Sequence, residues 1–430
     1  MEKLAIFGGK PVRTKPFPVY QTLDNKEEQA VAGIIRDGVL SDYIGAKGPF
    51  FLGGKKVKEL ESLYKERCGT KYAISMNSAT SVIIAAMGAF GIGQGDEVIV
   101  TPYSHVISAT APLIYDAIPV FADSEPDTFC MSVESIKKCI TPRTKAIIVV
   151  DLFGQSADMI SIMELAKKHN IKVLSDSAHI TLATYNEKMA GTCADIGSYS
   201  LNAHKTIQCG EGGVAVTDDD DLALKLQLLR NHAENCVADM NIKDLTNMIG
   251  YNFRMTELEA AVAVEQFKKS EFLIDKRREL CEYLSLKLSG LKGITIPKIR
   301  KYCTHDYLLY CLLYDEKEVG VSRNEFMKRL DAEGITMTVN DQRHVPPISG
   351  FVKPIHLQPI FAKKHFRPKG YPWTSHHYDL DINYAMGLCP VVEDMWQNSL
   401  ISLNAIYPPL TFDDMDDIVN AFEKVVRLSS

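Results

Sequence analysis

The sequence has no long apolar run, no metal-binding cysteine pattern and no surplus of positive charge, and each absence removes a class of function. The longest apolar stretch, Val82 to Ile92, is broken by Gly88 and Gly91 and falls short of the roughly 20 residues that a bilayer-spanning helix needs. Before Gly8 the only apolar run is Leu4 to Phe7, too short for the core of a secretory leader. A soluble, cytoplasmic protein with no membrane partner is expected. The ten cysteines are scattered, with no C-x-x-C pair and no Cys/His cluster of zinc spacing. No metal site is therefore expected, and reduced thiols are the simplest reading. With 48 Lys and Arg against 54 Asp and Glu, a net charge of -6, there is no broad basic face, so nucleic acid is not expected as a partner. Internal repeats and low-complexity segments are lacking too.

What is present is an ordinary globular composition, 46% apolar and 24% charged over 430 residues, long enough for more than one core. Short, nearly continuous apolar runs recur at Tyr72-Ala-Ile-Ser, Glu97-Val-Ile-Val, Ile118-Pro-Val-Phe, Ala146-Ile-Ile-Val-Val and Lys172-Val-Leu-Ser. Such runs suit strands buried on both faces. Helical spacing lies between most of them, at 81–90, 108–115, 133–138 and 158–169, so the expected fold class is α/β, a mostly parallel sheet covered by helices. A long helical pattern from Met255 to Leu291, with a break near Ser270, suits a link between domains. Beyond it, separated strands, a helix at 323–332, a proline- and aromatic-rich loop from His344 to about Trp373 and a final helix at 413–426 suggest a smaller α+β domain. The expected division is 1–270, a large domain with an N-terminal arm, and 271–430, a small C-terminal domain.

In open α/β sheets ligands bind beyond the carboxyl ends of the strands. The first such end is followed by Asn77-Ser-Ala-Thr-Ser81 and a helix; small residues with free N–H groups at a helix N-terminus cradle phosphate, although an ordinary N-cap by Ser78 or Thr80 would use the same residues. The second leads to Thr101-Pro-Tyr-Ser-His105, with flat rings at the same edge. The fifth leads to Asp176-Ser-Ala-His179, where a buried carboxylate must cap a helix or face a cation. After the run Ile196 to Leu201 comes Lys205, ahead of Gly210, Gly212 and Gly213. Alone, Lys205 reads equally as a solvated loop lysine. Together these residues meet the needs of pyridoxal 5'-phosphate (PLP): amides and hydroxyls for the phosphate, a ring to stack on the pyridine, a carboxylate for its nitrogen and a lysine for its aldehyde.

Seven ordered blocks carry a resemblance to a known family: Asn77-Ser-Ala-Thr80, Gly95 to Tyr103, Thr141 to Ile147, Leu152-Phe-Gly-Gln155, Asp176-Ser-Ala-His179, Ser200 to Gly213 and Gly250 to Glu257. They resemble the DegT/StrS-type sugar and cyclitol aminotransferases, fold-type I PLP enzymes. The resemblance implies that Lys205 is the Schiff-base lysine, that Asp176 partners the pyridine nitrogen, and that His179 bonds the phenolic oxygen. It places Ala79, Thr80 and Ser200 on the phosphate, His105 at the stacking position where relatives usually carry Phe or Trp, and Asp151 where many carry histidine. Asn252 would reach the phosphate in a neighbouring subunit, which implies a homodimer with shared active sites.

The expected activity is PLP-dependent transfer of an amino group from L-glutamate or L-glutamine to a ketosugar, first of all a nucleotide-linked one, in amino-sugar biosynthesis, with PLP cycling through its amine form (PMP). A ketocyclitol acceptor, a PLP-dependent sugar dehydratase and a non-catalytic PLP-binding regulator are the alternatives. Dehydratases of that family carry histidine in place of the lysine, and a regulator would need a DNA-binding module that the chain does not show. The acceptor pocket is expected from the Gly38 to Gly54 loop, the Arg254 region and the His344 to Trp373 loop, with Arg343, His344, His356 and Lys364 as candidate contacts.

Overall fold

The structure, a computed structural model, describes residues 2–340, 343–345, 348–404 and 406–429, with the side chains of 337–349 outside the description. The apolar runs form strands β1 (Tyr72–Met76), β2 (Glu97–Val100), β3 (Ile118–Phe121), β4 (Thr144–Val150) and β5 (Lys172–Asp176). A two-stranded ribbon, β6 (Thr184–Tyr185) and β7 (Lys188–Met189), precedes β8 (Ile196–Ser200) and β9 (Gly213–Thr217). Seven of them make one sheet in the order β1-β9-β8-β5-β4-β2-β3. The contacts from β8 through β5, β4 and β2 to β3 are parallel, and β9 alone runs against its neighbours. The carboxyl ends of β1, β2, β4, β5 and β8 therefore emerge along one edge, where β9 begins. Val98, Ile99, Ile147, Ile148, Val173 and Leu174 are fully buried, as strands covered on both faces by helices must be.

Helix starts follow local capping chemistry. Ser78 takes the N–H of Ser81 at the head of the helix Ala79–Ala89, and Asp158 and Asp219 cap two others, each satisfying donors that a first turn leaves free. The long helical pattern resolves into Glu257–Lys268 and Ser270–Leu288, joined at Lys269.

A second, antiparallel sheet joins Ile294–Thr295, Leu309–Tyr314, Leu400–Asn404 and Ile348–Ser349 in that order. The helix Phe412–Arg427 covers it, burying Met415, Ile418, Phe422 and Val425. The expected mostly parallel sheet with a smaller α+β unit is thus what the chain builds. The N-terminal arm packs with the small sheet: Leu4 and Phe17 lie in its core, and the buried Glu333 carboxylate takes the N–H groups of Ala5 and Val12 and the Lys424 amine. Residues 351–395 return to the large core. Tyr378 donates to Glu97, Tyr384 to the Pro119 carbonyl, and Asp123 accepts from the N–H groups of Val391 and Val392. Among the described residues no helix is long and apolar enough to cross a membrane.

Candidate active site

A cleft of about 740 Å³ opens where the strand ends meet the small sheet. Ala79, Thr80, His105, Asp176, His179, Ser200 and Lys205 all line it, so seven of the eight residues singled out in the sequence converge. The eighth, Asn252, does not: it is exposed, and its side chain accepts from Arg254 at 2.7 Å.

Asp176 ends β5 and is 4% exposed. Burial pushes its carboxyl up to about 6, opposed by the positive charge of Lys205 and by the N–H of Ala178 at 3.2 Å. Lys205 lies in the turn after β8, half-buried with its surface in the cleft; desolvation draws its amine down to about 8, and Asp176 pulls the other way. Burial thus acts on both members, favouring the neutral form of each. An amine that sheds its proton this readily is competent to attack a carbonyl.

His179 is held by the chain itself. Its Nδ1 accepts the N–H of Phe153 at 3.1 Å, so the neutral ring carries its proton on Nε2. Burial, with the charges of Lys205 and His105 nearby, holds it well below the usual histidine range and hence neutral. Phe153 adopts φ 60 to present that N–H, a left-handed conformation that costs a non-glycine residue energy. The turn beyond His179 is fixed by Asp306, whose Oδ2 receives the N–H groups of Thr181, Leu182 and Ala183 at 2.6, 2.6 and 2.9 Å while Arg278 meets Oδ1 at 2.8 Å.

Asp151, which has no obvious reading in the sequence, has a clear place. Its buried carboxylate takes the hydroxyls of Ser175 at 2.9 Å and Ser177 at 2.6 Å and the N–H of Ala157 at 3.1 Å. Its own N–H donates to the Asp176 carbonyl. It therefore grips the residues on either side of Asp176.

The cradle at the head of Ala79–Ala89 fits a phosphate. The Ser78 cap satisfies Ser81, and the first-turn N–H groups of Ala79 and Thr80 have no intrahelical acceptor. Gly213 permits it: a Cβ there would stand on Ala79 N and 2.5 Å from the Ser78 carbonyl carbon. With a lysine whose amine is drawn down to about 8, a facing carboxylate and an Nε2–H donor in the same cleft, the donor set fits PLP.

The expected acceptor contacts fare differently. His356 is buried and bonds Glu393 at 2.9 Å, Lys364 pairs with Asp381, and Arg254 bonds Asn252; none lines the cleft. The side chains of Arg343 and His344 lie outside the described residues. The loop instead contributes Phe351 and Val352. Residues that sequence reasoning missed include Tyr20, which donates to the Thr206 carbonyl and packs on Tyr407 with the rings tilted by 39° and their centroids 3.7 Å apart, and Arg277. Tyr20 sits in an aperiodic arm and gives no signal. Arg277 gives one: it falls on the buried stripe Leu273, Ile274, Leu280, Cys281 and Leu284, where a cation is out of place.

Residues 44–423 match the model of the DegT/DnrJ/EryC1/StrS aminotransferase family. A GDP-perosamine synthase of Caulobacter vibrioides is 34% identical over 72% of this chain and 79% of its own length. An L-glutamine:2-deoxy-scyllo-inosose aminotransferase of Streptomyces fradiae is 31% identical over 67% of this chain and 68% of its own. Among solved structures, an aminotransferase from Psychrobacter cryohalolentis is 26% identical and covers 96% of this chain and 99% of its own, with a TM-score of 0.80. Family, cleft and fold agree: the chain belongs to the DegT/DnrJ/EryC1/StrS aminotransferases and is a PLP-dependent aminotransferase.

Proposed function

We propose that the protein transfers an amino group from L-glutamate or L-glutamine to a ketosugar, in first place a nucleotide-linked one. The observation that carries the reading is the Lys205–Asp176 pair, an amine drawn down to about 8 opposite a buried carboxylate in one cleft. The likeness to GDP-perosamine synthases supports a nucleotide-linked acceptor.

PLP, when bound, supplies an aldehyde and an electron-withdrawing ring. Lys205 Nζ would hold the aldehyde and, once released, move the proton at the donor's Cα. Asp176 would keep the pyridine nitrogen protonated, and His179 would donate from Nε2 to the phenolic oxygen. The N–H groups of Ala79 and Thr80, with the Ser200 hydroxyl, would bind the phosphate, and His105 would cover the ring.

The reading includes a homodimer. Ile35, Val39, Leu40, Ile44, Phe50 and Leu52 are exposed, an apolar surface of the kind that marks an interface. The same loop is bonded to the Asn231 to Glu257 region through Asn231 and the Glu257 N–H. Asn252 is bridged to Asn231, which supports the reading that it reaches a partner's phosphate.

A ketocyclitol is the second reading. It is favoured by the polar rim of Asn202, His204, Glu211 and Asn404, which suits hydroxyl groups, and by the likeness to an inosose aminotransferase. Titrating the holoenzyme with glutamate should convert its spectrum to that of the amine cofactor and release 2-oxoglutarate; nucleotide-linked ketosugars and inososes are then compared for restoring the aldehyde spectrum. An enzyme whose spectrum neither glutamate nor glutamine moves does not perform this transfer.

A further inference from the structure

Five cations are buried among the described residues: Arg13, Arg230, Arg277, Arg323 and Lys424. Arg13 meets Asp414 and Asp417, Arg230 meets Glu61 at 2.7 Å, and Lys424 meets Glu333 at 2.8 Å. Arg323 has no carboxylate but spends its guanidinium on the carbonyl oxygens of Met395, Leu400, Trp396 and Gln397. Arg277 differs from all four. Its Nε donates to the Ile406 carbonyl at 3.1 Å and one terminal nitrogen to Thr206 Oγ1 at 2.6 Å, while its carbon lies 5.3 Å from the Tyr407 ring centroid. Among the described residues no acceptor meets its other terminal nitrogen and no carboxylate faces it; the ionisable groups around it are the phenols of Tyr20 and Tyr407 and the thiol of Cys281. It is 1% exposed, and it forms part of the cleft wall.

A buried charge without a counter-charge is costly. A guanidinium left half-used on the wall of a substrate cleft is a site for an anion, and its planar fork matches a carboxylate. Its bond to Thr206 ties it to the residue beside Lys205, so the anion belongs to the same loop as the reacting amine. We propose that Arg277 binds the α-carboxylate of the amino donor, the one carboxylate that glutamate and glutamine share. The assignment rests on the aminotransferase reading above, and Tyr20 and Tyr407 line the same cleft.

The test uses the holoenzyme and two probes. Glutarate, an unreactive dicarboxylate, is titrated calorimetrically into wild type and Arg277→Gln; its affinity should fall roughly 10- to 100-fold, the loss of a charge-assisted hydrogen bond. In the donor half-reaction, wild type should prefer glutamate to isoglutamine, whose α-carboxylate is an amide, and Arg277→Gln should lose that preference. A part that merely braces the Thr206 loop would slow both donors alike and leave the preference intact, which would overturn the proposal. So would unchanged glutarate binding, or a defect confined to the acceptor half-reaction, which would assign the guanidinium to an acceptor phosphate. If Arg277→Gln does not fold, Arg277→Lys replaces it: glutarate must weaken at least about threefold through loss of the fork, and unchanged binding refutes the site. The wild-type spectral response to glutamate tests the aminotransferase reading separately, because the glutarate titration decides the subsite whatever that response is.

Discussion

Asp176→Asn should stabilise the cofactor-free protein while abolishing its usefulness. Burial raises the Asp176 carboxyl from 3.8 to about 6, so the fold disfavours its charged form. The difference of about 2 pH units corresponds to ~3 kcal/mol. The sign follows from the direction of the shift. Above pH 6 the group is ionised in both folded and unfolded chains and the cost is complete; as pH falls toward 4 it becomes protonated in both and the cost disappears. Asparagine carries no such cost, and its amide oxygen still accepts from Ala178. Some of the gain is offset, because Lys205 loses the carboxylate that favours its charged form. The net expectation is a gain of about 1–3 kcal/mol at pH 7.5, falling by roughly half at pH 5. Urea unfolding of the cofactor-free wild type and variant at both pH values measures it. An asparagine variant that is no more stable at pH 7.5, or whose gain ignores pH, would refute the claim that this carboxylate is held in its site against its own desolvation. Stability surrendered for function is the common state of active sites.

Two further outcomes follow from the same geometry. Imine formation needs the neutral amine of Lys205, so the rate at which cofactor-free protein takes up PLP should rise through about pH 8 and fall about tenfold per unit below it; a flat rate from pH 6 to 9 in stopped-flow absorbance would contradict the burial of that amine. Gly213→Ala should weaken PLP binding and destabilise the protein by roughly 1–3 kcal/mol or more, because its Cβ meets backbone at Ser78 and Ala79 that cannot swing aside; equilibrium dialysis and thermal unfolding would show it, and an alanine variant with normal affinity would mean that the cradle is looser than described.

How much of this was legible in the sequence depended on whether a signal was local. Val98-Ile-Val100 and Ala146 to Val150 are apolar enough to be read as buried strands, and the residues just beyond strand ends inherit their position from them. Hence Thr80, Asp176 and Lys205 were found without contacts. The outer wall of the cleft was illegible because its members come from distant segments: Tyr20 from the arm, Phe351 from a returning loop, Tyr407 from beyond the last strand. His356 misled because an ionisable residue in a loop suggests a surface, whereas Glu393, 37 residues on, buries it as a bonded pair. Asp151 needed Ser175, in β5, and Ser177, just past its end, on one side of the chain, a consequence of extended-chain alternation that became meaningful only once β4 lay alongside.

The return of residues 351–395 to the large sheet sets an order of assembly. β3 is one of the two edge strands, and the rings of His356, Phe361 and Tyr384 pack on its Phe121. During synthesis the chain completes β3 by residue 121, yet the segment that covers it begins about 230 residues later. Throughout that interval the Phe121 side of β3 lacks the rings that pack on it, an apolar surface open to association with other chains. Fragments ending before residue 350 are thus expected to bind chaperones more than the full chain does, because the last fifth of the chain carries the cover for a strand made in its first third.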